Sequence, residues 1–365
     1  MAARARRLAM ARLGFVRAAG AACAVAALLA LAACGGGTSY YSATASPTAP
    51  PATAIATPSP EGDAGVGVRP TPTVEPRCLD PYPDGAPFEA EPGKPLRIRP
   101  SARPPELAAY HPIPFRTDAA LRQIAQRAIG EEREDEIAVY VKKLDDGRGV
   151  AIAAGRLYYA ASLFKPWMML EAFHQREEGL LDFDERYIVS DYYASWKLNP
   201  GELAACAEVT VEEALGRMMS VSDNVAAALL QDRVGVSNVN VALLNLGLAK
   251  SGFHQDGSLP VTAADMGYLL EAIAREGAVD EDSSQGMLAL LESEKIDNRI
   301  PARLPKNTRV AHKTGSWSNA THDAGIVYSP GATYVIVVLT SYGFEDRGAE
   351  QIARISRAVY DHYNP

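Results

Sequence analysis

Three short motifs hold the side chains of this sequence that are best suited to nucleophilic chemistry. Ser162 and Lys165 form an S-x-x-K pattern, S-D-N occupies residues 222–224, and K-T-G occupies residues 313–315. A serine that attacks a carbonyl carbon needs a base, and a lysine can be that base only when its pKa is lowered. The three motifs, in this order, predict a nucleophilic serine and a lysine that activates it.

The spacing of Ser162 and Lys165 predicts how the serine is activated. Residues three apart lie on one face of a helix, so the hydroxyl and the ammonium can reach each other. A helix N-terminus has unpaired N–H groups and a partial positive charge, which favours a developing oxyanion. Pro166 is tolerated in a first turn, where its missing N–H has no partner to lose. Burial and the second ammonium of Lys313 would both lower the pKa of Lys165.

Taken alone, the stretch AASLFKPWMMLEAF (residues 160–173) is better explained as the start of an amphipathic helix. Its apolar residues Trp167, Met168, Leu170 and Phe173 are predicted to pack into a core in either interpretation. S-x-x-K is common by chance, whereas S-D-N and K-T-G are rarer at ordinary amino-acid usage. Finding all three in order favours the catalytic interpretation.

The elements around the motifs predict an α+β fold. A hairpin is predicted at 136–154, and three further strands at 308–315, 323–328 and 332–340. Helical patterns dominate between them, from residue 162 to about 293. Strands at both ends of a domain around a helical middle indicate one antiparallel sheet built from both chain ends. We expect five strands, flanking helices and an inserted all-helical lobe.

Capping signals place several of the helices. Thr117 is the predicted N-cap of a helix over 117–132. Thr-x-x-acid boxes begin two more, at Thr210 and Thr262. A last helix is predicted from about residue 348 to 362.

The first 114 residues are predicted to lie outside the folded domain. Residues 1–33 combine five arginines, no acid and a short apolar run, which is the pattern of an export signal. The following LAAC resembles a bacterial lipobox and would make Cys34 a lipid-bearing N-terminus; an ordinary cleaved signal and an uncleaved anchor are the alternatives. Residues 34–114 are predicted to be a Pro/Thr-rich disordered linker after the lipidated cysteine. The folded domain is predicted at 115–365.

Composition excludes some functions. The formal net charge is −8, and it is −13 without the five arginines of residues 1–33, which argues against a nucleic-acid partner. The six histidines include no H-x-H, and the four cysteines include no C-x-x-C, so neither a metal nor a cofactor is predicted. Cys78 and Cys206 could form a disulfide or remain two buried thiols.

Residues 117–360 resemble the class A β-lactamase and penicillin-binding-protein superfamily. Besides the three motifs, the resemblance rests on three longer stretches: TVEEALGRMMSVSDNVAAALL through S-D-N, LPVTAADMGYLLEAI at a later helix, and IPARLPKNTRVAHKTGSW into K-T-G. It implies a β-lactamase/transpeptidase-like fold and an acyl-enzyme mechanism.

The resemblance also implies a role for each motif residue. Ser162 would be the acylated nucleophile and Lys165 its base. Ser222 would pass a proton to the leaving nitrogen, and Asp223 would be a buried structural residue. The implied substrate contacts are Lys313 and Thr314 at the substrate carboxylate, Asn224 at the side-chain amide, Gly315 against the substrate backbone, and the N–H groups of Ser162 and Ser316 as the oxyanion hole.

The sequence departs from the class A pattern where the acyl group is removed. Class A enzymes carry a glutamate in an E-x-x-L-N loop after S-D-N, and it activates the deacylating water. Residues 225–261 contain no Glu, and their only acids are Asp232 and Asp256. Asp256 could substitute, although its side chain is shorter and so is its loop. Acylation is therefore better supported than fast deacylation.

Other positions have open interpretations. His312, where class A enzymes usually have Asp, could tune the lysine that follows it or fill the strand. No arginine for the carboxylate site is evident on the strand at 323–328, and Arg347 could stand in. Tyr192, Tyr193 and Trp196 could rim the cleft or pack in the core.

Three functions remain consistent with this sequence. The first is a class A-like β-lactamase, exported and either lipid-anchored at Cys34 or secreted. The second, favoured by the missing glutamate, is a D,D-peptidase or penicillin-binding protein acting on peptidoglycan stem peptides. The third is a sensor that acylates once or not at all. The expected partners are a small β-lactam or a peptidoglycan peptide and the membrane, and the expected state is a monomer.

Overall fold

A computed structural model describes residues 88–89, 97–98, 110–130, 136–342 and 345–365. The predicted export segment, Cys34 and Cys78 lie outside these residues. Within the part that is described, no helix is long and apolar enough to cross a membrane. Strands β1 (Phe88–Glu89) and β2 (Arg97–Ile98) pair antiparallel. These four residues fall in the segment predicted to be a disordered linker, and the backbone groups of two short strands pair there.

The central sheet contains the five long antiparallel strands that were predicted. They are β4 (Ile137–Lys143), β5 (Arg148–Ile152), β10 (Arg309–Trp317), β11 (Ala320–Tyr328) and β12 (Thr333–Thr340), in the spatial order β10-β11-β12-β4-β5. The strands from before and after the helical lobe meet where β12 pairs with β4. The prediction of five strands misses a sixth, β3 (Arg116–Thr117), which runs parallel to β5. Two residues suffice because the outer edge of β5 offers unpaired backbone groups.

Helices cover both faces of this sheet. Alternate residues of β4 face opposite sides: Ile137 and Val139 belong to a core under α1 (Ala119–Ile129) and α9 (Glu345–Tyr363), and Tyr140 belongs to the core of the helical lobe. Such strands are apolar on both faces, and each fully buried Val or Ile contributes about 1.5–3 kcal/mol to stability.

The N-cap of the helix after β3 lies one residue later than predicted. Asp118, not Thr117, caps α1, because its carboxylate accepts from the backbone N–H of Leu121 at 2.9 Å. Thr117 is held in β3. Thr210 and Glu213 form the reciprocal capping box that was predicted, and Thr262 accepts from the N–H of the acid three residues on.

The helical lobe lies between β5 and β10. Its helices are α2 (Lys165–Glu177), α3 (Asp191–Ala194), α4 (Val211–Ser220), α5 (Asn224–Val234), α6 (Val236–Asn245), α7 (Ala263–Ala274) and α8 (Glu281–Glu292). Two small antiparallel pairs complete it: β6 (Tyr158–Tyr159) with β9 (Pro260–Val261), and β7 (Arg186–Ile188) with β8 (Glu208–Thr210). A turn of 3₁₀ helix at Pro301–Arg303 precedes β10.

The residues just before the predicted domain start also pack on the domain. The backbone N–H of Ile113 donates to Glu271 at 2.8 Å, and its carbonyl accepts from Lys142, which is paired with Glu271 in the core. The ring of Tyr110 lies so close to Gly277 that a Cβ there would be 2.4 Å from it. The packed structure therefore extends at least to Tyr110.

Candidate active site

Ser162 lies in a turn of 3₁₀ helix, Ala161–Phe164, directly before α2. The expectation of an α-helical N-terminus is corrected here, and Pro166 gives the reason. Its nitrogen has no hydrogen to donate four residues back to Ser162, so the Ser162 carbonyl accepts instead from Lys165 N–H, in the tighter 3₁₀ pattern. Ala161 has φ of 48°, a left-handed conformation that costs a residue with a Cβ about 1–2 kcal/mol. Strain of this kind is concentrated at functional sites.

Strand β10 lies against this turn at Gly315. A Cβ built on Gly315 would lie 3.1 Å from the carbonyl oxygen of Ala160 and 3.3 Å from the side chain of Leu163. Glycine therefore permits the close approach of the strand to the turn. The approach places Thr314 and Ser316 in the same cleft as Ser162.

Lys165 is fully buried and donates to the S-D-N segment. Its Nζ lies 2.6 Å from the carbonyl oxygen of Ser222, 2.9 Å from Ser222 Oγ and 3.1 Å from Asn224 Oδ1. Ser222 has φ of 58°, which is the second left-handed residue with a Cβ at the site. Burial, and next the nearby charge of Lys313, lower the pKa of Lys165 to about 7. A large fraction of Lys165 is thus neutral near neutral pH, as a general base requires.

Asp223 is buried and fixes the S-D-N segment. Its Oδ1 accepts from the first N–H groups of α5, Val225 and Ala226, each at 3.0 Å. Its Oδ2 accepts from the Leu203 N–H at 3.0 Å and from Arg217 Nε at 2.9 Å. The carboxylate therefore joins α4, α5 and the preceding loop, and it holds its two neighbours in the motif in place.

Lys313 is also fully buried, but its partner is a carboxylate. It forms an ion pair with Glu294, and the same Glu294 oxygen accepts from Thr314 N–H at 3.3 Å and Thr314 Oγ1 at 3.4 Å. Burial lowers the pKa of Lys313, and the charge of Glu294 opposes that shift. Glu294 is one of 44 acidic residues in the sequence, and no local pattern marks it as the partner.

The motifs converge on a cleft of ≈ 490 Å³. The predicted site residues that line it are Ser162, Ser222, Asn224, Thr314 and Ser316. Exposed apolar side chains form its rim: Tyr159, Leu198, Val221 and Trp317. Tyr192, Tyr193 and Trp196, which were considered for the rim, do not line the cleft. Tyr193 is buried and donates to Asp232 at 3.1 Å, and the ring of Tyr192 packs edge-on against the ring of Tyr193. Trp196 is exposed.

Comparisons with known proteins agree with this geometry. A sequence model of the beta-lactamase enzyme family matches residues 120–363. The chain belongs to this family. Among curated relatives, a beta-lactamase of Bacteroides uniformis is 29% identical over an alignment of 177 residues that covers 42% of this chain and 60% of that protein. The extended-spectrum beta-lactamase PER-1 of Pseudomonas aeruginosa is 24% identical over 65% of this chain and 85% of its own length.

Solved structures show the same fold. "PBP-A" is similar with a TM-score of 0.64 at 23% identity, covering 70% of this chain and 99% of its own. A beta-lactamase from Sphaerobacter thermophilus gives a TM-score of 0.61 at 23% identity, covering 67% and 97%. A mutant of PBP-A, solved as an acyl-enzyme complex with penicillin-G, gives 0.63 at 24% identity, covering 69% and 98%.

The guanidinium beside the K-T-G strand comes from Arg299, which the sequence did not reveal. Arg299 is fully buried and donates to the carbonyl oxygens of Gly315 and His322 and to Ser316 Oγ. Arg347, the residue considered for this place, is exposed on α9. Arg299 precedes β10 in the chain, a position that the sequence analysis did not consider. The IPARLPKNTRV stretch that follows it was recognised only as the approach to K-T-G.

His312 braces the strands behind Lys313. Its Nδ1 lies 3.0 Å from Asp323 Oδ1 on β11, and Asp323 also accepts from the Ile300 N–H at 2.9 Å. Burial works against protonation, yet the charge and hydrogen bond of Asp323 raise the pKa of His312 above its ordinary value. Of the two interpretations, a role inside the strand pair agrees with these contacts.

The loop after α6 reaches the site with an aromatic ring. Phe253 packs edge-on against Phe164 at 5.6 Å and Trp167 at 5.9 Å between ring centroids. Asp256 on the same loop is exposed, accepts from the N–H of Ser258 at 2.9 Å and does not line the cleft. This position gives Asp256 no contact with the site.

Other side-chain chemistry is sparse in the described residues. They contain no group of three or more His, Cys, Asp and Glu residues that could hold a metal ion. Cys206 is disulfide-bonded, which excludes the interpretation as a free thiol.

Proposed function

We propose that the protein is a serine hydrolase that opens β-lactam rings through an acyl-enzyme at Ser162. The observation that carries this proposal is the buried lysine: Lys165 donates to Ser222 and Asn224 and has its pKa lowered to about 7. A surface lysine at a helix start, the ordinary alternative, would be solvated and charged.

The contacts support one route for the proton. Ser162 Oγ attacks the lactam carbonyl carbon, and neutral Lys165 takes the hydroxyl proton. When the ring C–N bond breaks, Ser222 Oγ gives its proton to the leaving nitrogen. Lys165, 2.9 Å from Ser222 Oγ, then returns a proton to Ser222. Ser162 is left as an ester, and the lactam nitrogen as an amine.

The remaining motif residues bind the substrate in this proposal. Lys313 and Thr314 attract the substrate carboxylate, and Arg299, behind Ser316, adds a second cation at that end of the cleft. The N–H groups of Ser162 and Ser316 stabilise the oxyanion, and one such donor is worth about 3–4 kcal/mol in the transition state. The rim formed by Tyr159, Leu198, Val221 and Trp317 suits an apolar substituent.

A second candidate is a D,D-peptidase or penicillin-binding protein acting on peptidoglycan stem peptides. The loop after α6 favours this candidate, because it contains no glutamate that could activate a deacylating water. It brings the ring of Phe253 to Phe164 and Trp167 instead. The three carboxylates whose charges act on Lys165 have other partners. Glu294 pairs with Lys313, Glu202 accepts from Asn224, and Asp223 pairs with Arg217. A slow acyl-enzyme would serve a peptidase or a sensor better than a β-lactamase.

The proposal includes export. A monomer held to the outer side of the cell membrane by a lipid on Cys34 would meet either substrate outside the cytoplasm. The sequence of residues 1–34 supports this location.

One experiment separates the candidates. The purified domain is mixed with a chromogenic cephalosporin, and product is followed against enzyme concentration. Sustained turnover supports the β-lactamase. A single stoichiometric burst, with the substrate mass added at Ser162, supports a penicillin-binding or sensor protein. Wild-type protein that shows neither turnover nor a burst contradicts the proposed acylation.

The matched control is Ser162→Ala. It should abolish both the turnover and the added mass while the far-ultraviolet circular dichroism stays unchanged. A mass adduct that persists in Ser162→Ala would place the nucleophile elsewhere.

A further inference from the structure

Glu202 is a buried carboxylate behind the wall of the cleft and belongs to none of the three motifs. It lies between α3 and β8 and is 6% exposed. Its Oε1 accepts from Asn224 Nδ2 at 2.6 Å and from Asn199 Nδ2 at 2.7 Å. Its Oε2 accepts from the Leu198 N–H at 2.9 Å. Asn199 and Leu198 line the cleft, so Glu202 connects the rim to the S-D-N segment.

The carboxylate determines which way the Asn224 amide points. An ionised carboxylate only accepts hydrogen bonds, so the Asn224 –NH₂ group must face Glu202. Oδ1 then faces the other way, where it accepts from Lys165 Nζ at 3.1 Å. The two ends of an amide have nearly the same shape. Without the carboxylate, a flipped Asn224 would present N–H groups to the ammonium of Lys165, which has only donors.

Glu202 also acts on Lys165 through its charge. Four charged groups face this lysine from the surrounding elements: Lys313 on β10 lowers its pKa, and Glu202, Asp223 and Glu294 raise it. Asp223 is paired with an arginine, and Glu294 is paired with Lys313. The carboxylate of Glu202 accepts from neutral amides. The Lys197 ammonium donates to the Glu202 backbone carbonyl at 3.0 Å, so neither carboxylate oxygen has a cation as its hydrogen-bond donor.

We propose that Glu202 is a positioning residue for acylation: its carboxylate fixes the Asn224 amide, and Asn224 holds Lys165 beside Ser222. This inference rests on the proposed acylation at Ser162 and adds the group that orients its base. Glu202 itself does not touch the reacting atoms.

The test is Glu202→Gln in the full chain, with the rate of acylation by the cephalosporin measured across neutral pH. The glutamine fills the same space but no longer dictates the Asn224 orientation. We expect acylation to slow by about tenfold to a hundredfold, as misplaced catalytic groups do. We also expect the acid limb of the rate profile to move to lower pH, because a negative charge near Lys165 is removed. A purely structural role would slow the reaction and leave that limb in place.

The matched control is Glu171→Gln. Glu171 is also a buried carboxyl, and it lies on α2, the helix that begins at Lys165. Burial raises the pKa of Glu171 to about 7, so this residue could itself produce a limb near neutrality. It contacts Gln175 rather than the site. We expect Glu171→Gln to leave the acylation rate and the limb unchanged. A second check is Asn224→Ala, which should show no further loss when combined with Glu202→Gln.

Two results would overturn the inference: a Glu202→Gln variant that acylates as the wild type does, and a slower variant whose acid limb does not move. The titration of Lys165 can also be followed by NMR of ¹³C-labelled lysine side chains, which needs no substrate. Its midpoint should fall in Glu202→Gln. Wild-type protein that fails to acylate would therefore contradict the proposed function, while the NMR midpoint still decides on Glu202.

Discussion

Lys165 and Lys313 are two fully buried lysines at one cleft, and their surroundings are opposite. Lys165 donates to a carbonyl, a hydroxyl and an amide oxygen, all of them neutral. Lys313 is paired with the carboxylate of Glu294. Burial lowers both pKa values, but only Lys313 has a carboxylate in contact to oppose the shift. The same residue type thus has only neutral acceptors in contact in one place and a counter-ion in contact in the other.

The comparison shows how different hydrogen-bond and ion-pair partners suit two lysines to two roles, a base and a carboxylate-binding cation. A base must exchange a proton near neutral pH, and neutral acceptors around Lys165 permit this. A group that attracts a substrate carboxylate must stay charged, which a buried ion pair favours. The cation of Lys313 also disfavours the charge on Lys165, so the lowered pKa of Lys165 depends in part on Lys313.

The largest effect is expected from Lys165→Ala. It removes the group proposed to take the Ser162 proton, and general-base contributions are typically about 10²–10⁴-fold. Acylation by the cephalosporin, followed by mass at Ser162, should slow by that factor. Lys165→Arg should be equally slow, because a guanidinium stays protonated at any working pH.

The exposed Lys306 gives the matched control, since Lys306→Ala removes one positive charge from a residue that does not line the cleft. This variant should acylate normally. If Lys165→Ala acylated at the wild-type rate, Lys165 would not be the base and the two lysines would not differ in the way proposed.

The next effect concerns stability. Glu294→Gln leaves the Lys313 ammonium buried without its counter-ion, and breaking a buried pair costs about 3–5 kcal/mol. Urea unfolding followed by tryptophan fluorescence should show a loss of unfolding free energy in this range.

An exposed ion pair supplies the contrast for Glu294→Gln. Arg186 and Glu208 lie 2.9 Å apart with both side chains more than half exposed. Glu208→Gln should cost at most about 1 kcal/mol, because solvent screens such pairs. Equal losses for the two variants would mean that the Lys313 pair is not buried as described.

The sequence predicted the two lysines but only part of their surroundings. Motif order and helix or strand type were enough to bring Ser162, Lys165, Ser222 and Lys313 to one site, because each motif sits at the end or middle of a strongly patterned element. The five long strands followed from the same patterns. The sixth strand, β3, is too short to leave a periodic signal.

The missed residues are those that act through long-range pairing. Glu202, Glu294 and Arg299 lie outside every motif, and each meets the site through a contact that only the folded chain makes. A charged residue of this kind looks like any solvated one until burial demands a partner for it. The 3₁₀ turn at Ser162 could have been expected, since Pro166 removes the donor that an α-helix needs there.

The smallest and sharpest prediction concerns pH. A Lys165 pKa of about 7 means that the acylation rate should fall about tenfold per unit below that pH, as the neutral fraction of the lysine falls. Lys313→Met removes a cation, so it should raise the Lys165 pKa and move the acid limb to higher pH. Glu294→Gln removes an anion and should move the limb to lower pH. Stopped-flow acylation at saturating substrate measures all three profiles.

The titration of two buried histidines, His322 and His312, must be distinguished from the acid limb of the acylation rate. Burial lowers the pKa of His322 to about 4, so the folded state binds fewer protons than the unfolded chain and loses stability as pH falls below the ordinary histidine value. His312 has a raised pKa, so the stability it contributes is present at low pH and is lost as pH rises. Circular dichroism across the same range separates unfolding from titration. Opposite shifts in Lys313→Met and Glu294→Gln, with the fold intact, require a titrating group that senses both charges, as Lys165 and His312 do. The NMR titration of labelled lysine side chains tells these two apart, and shifts in the same direction would assign the limb to another residue.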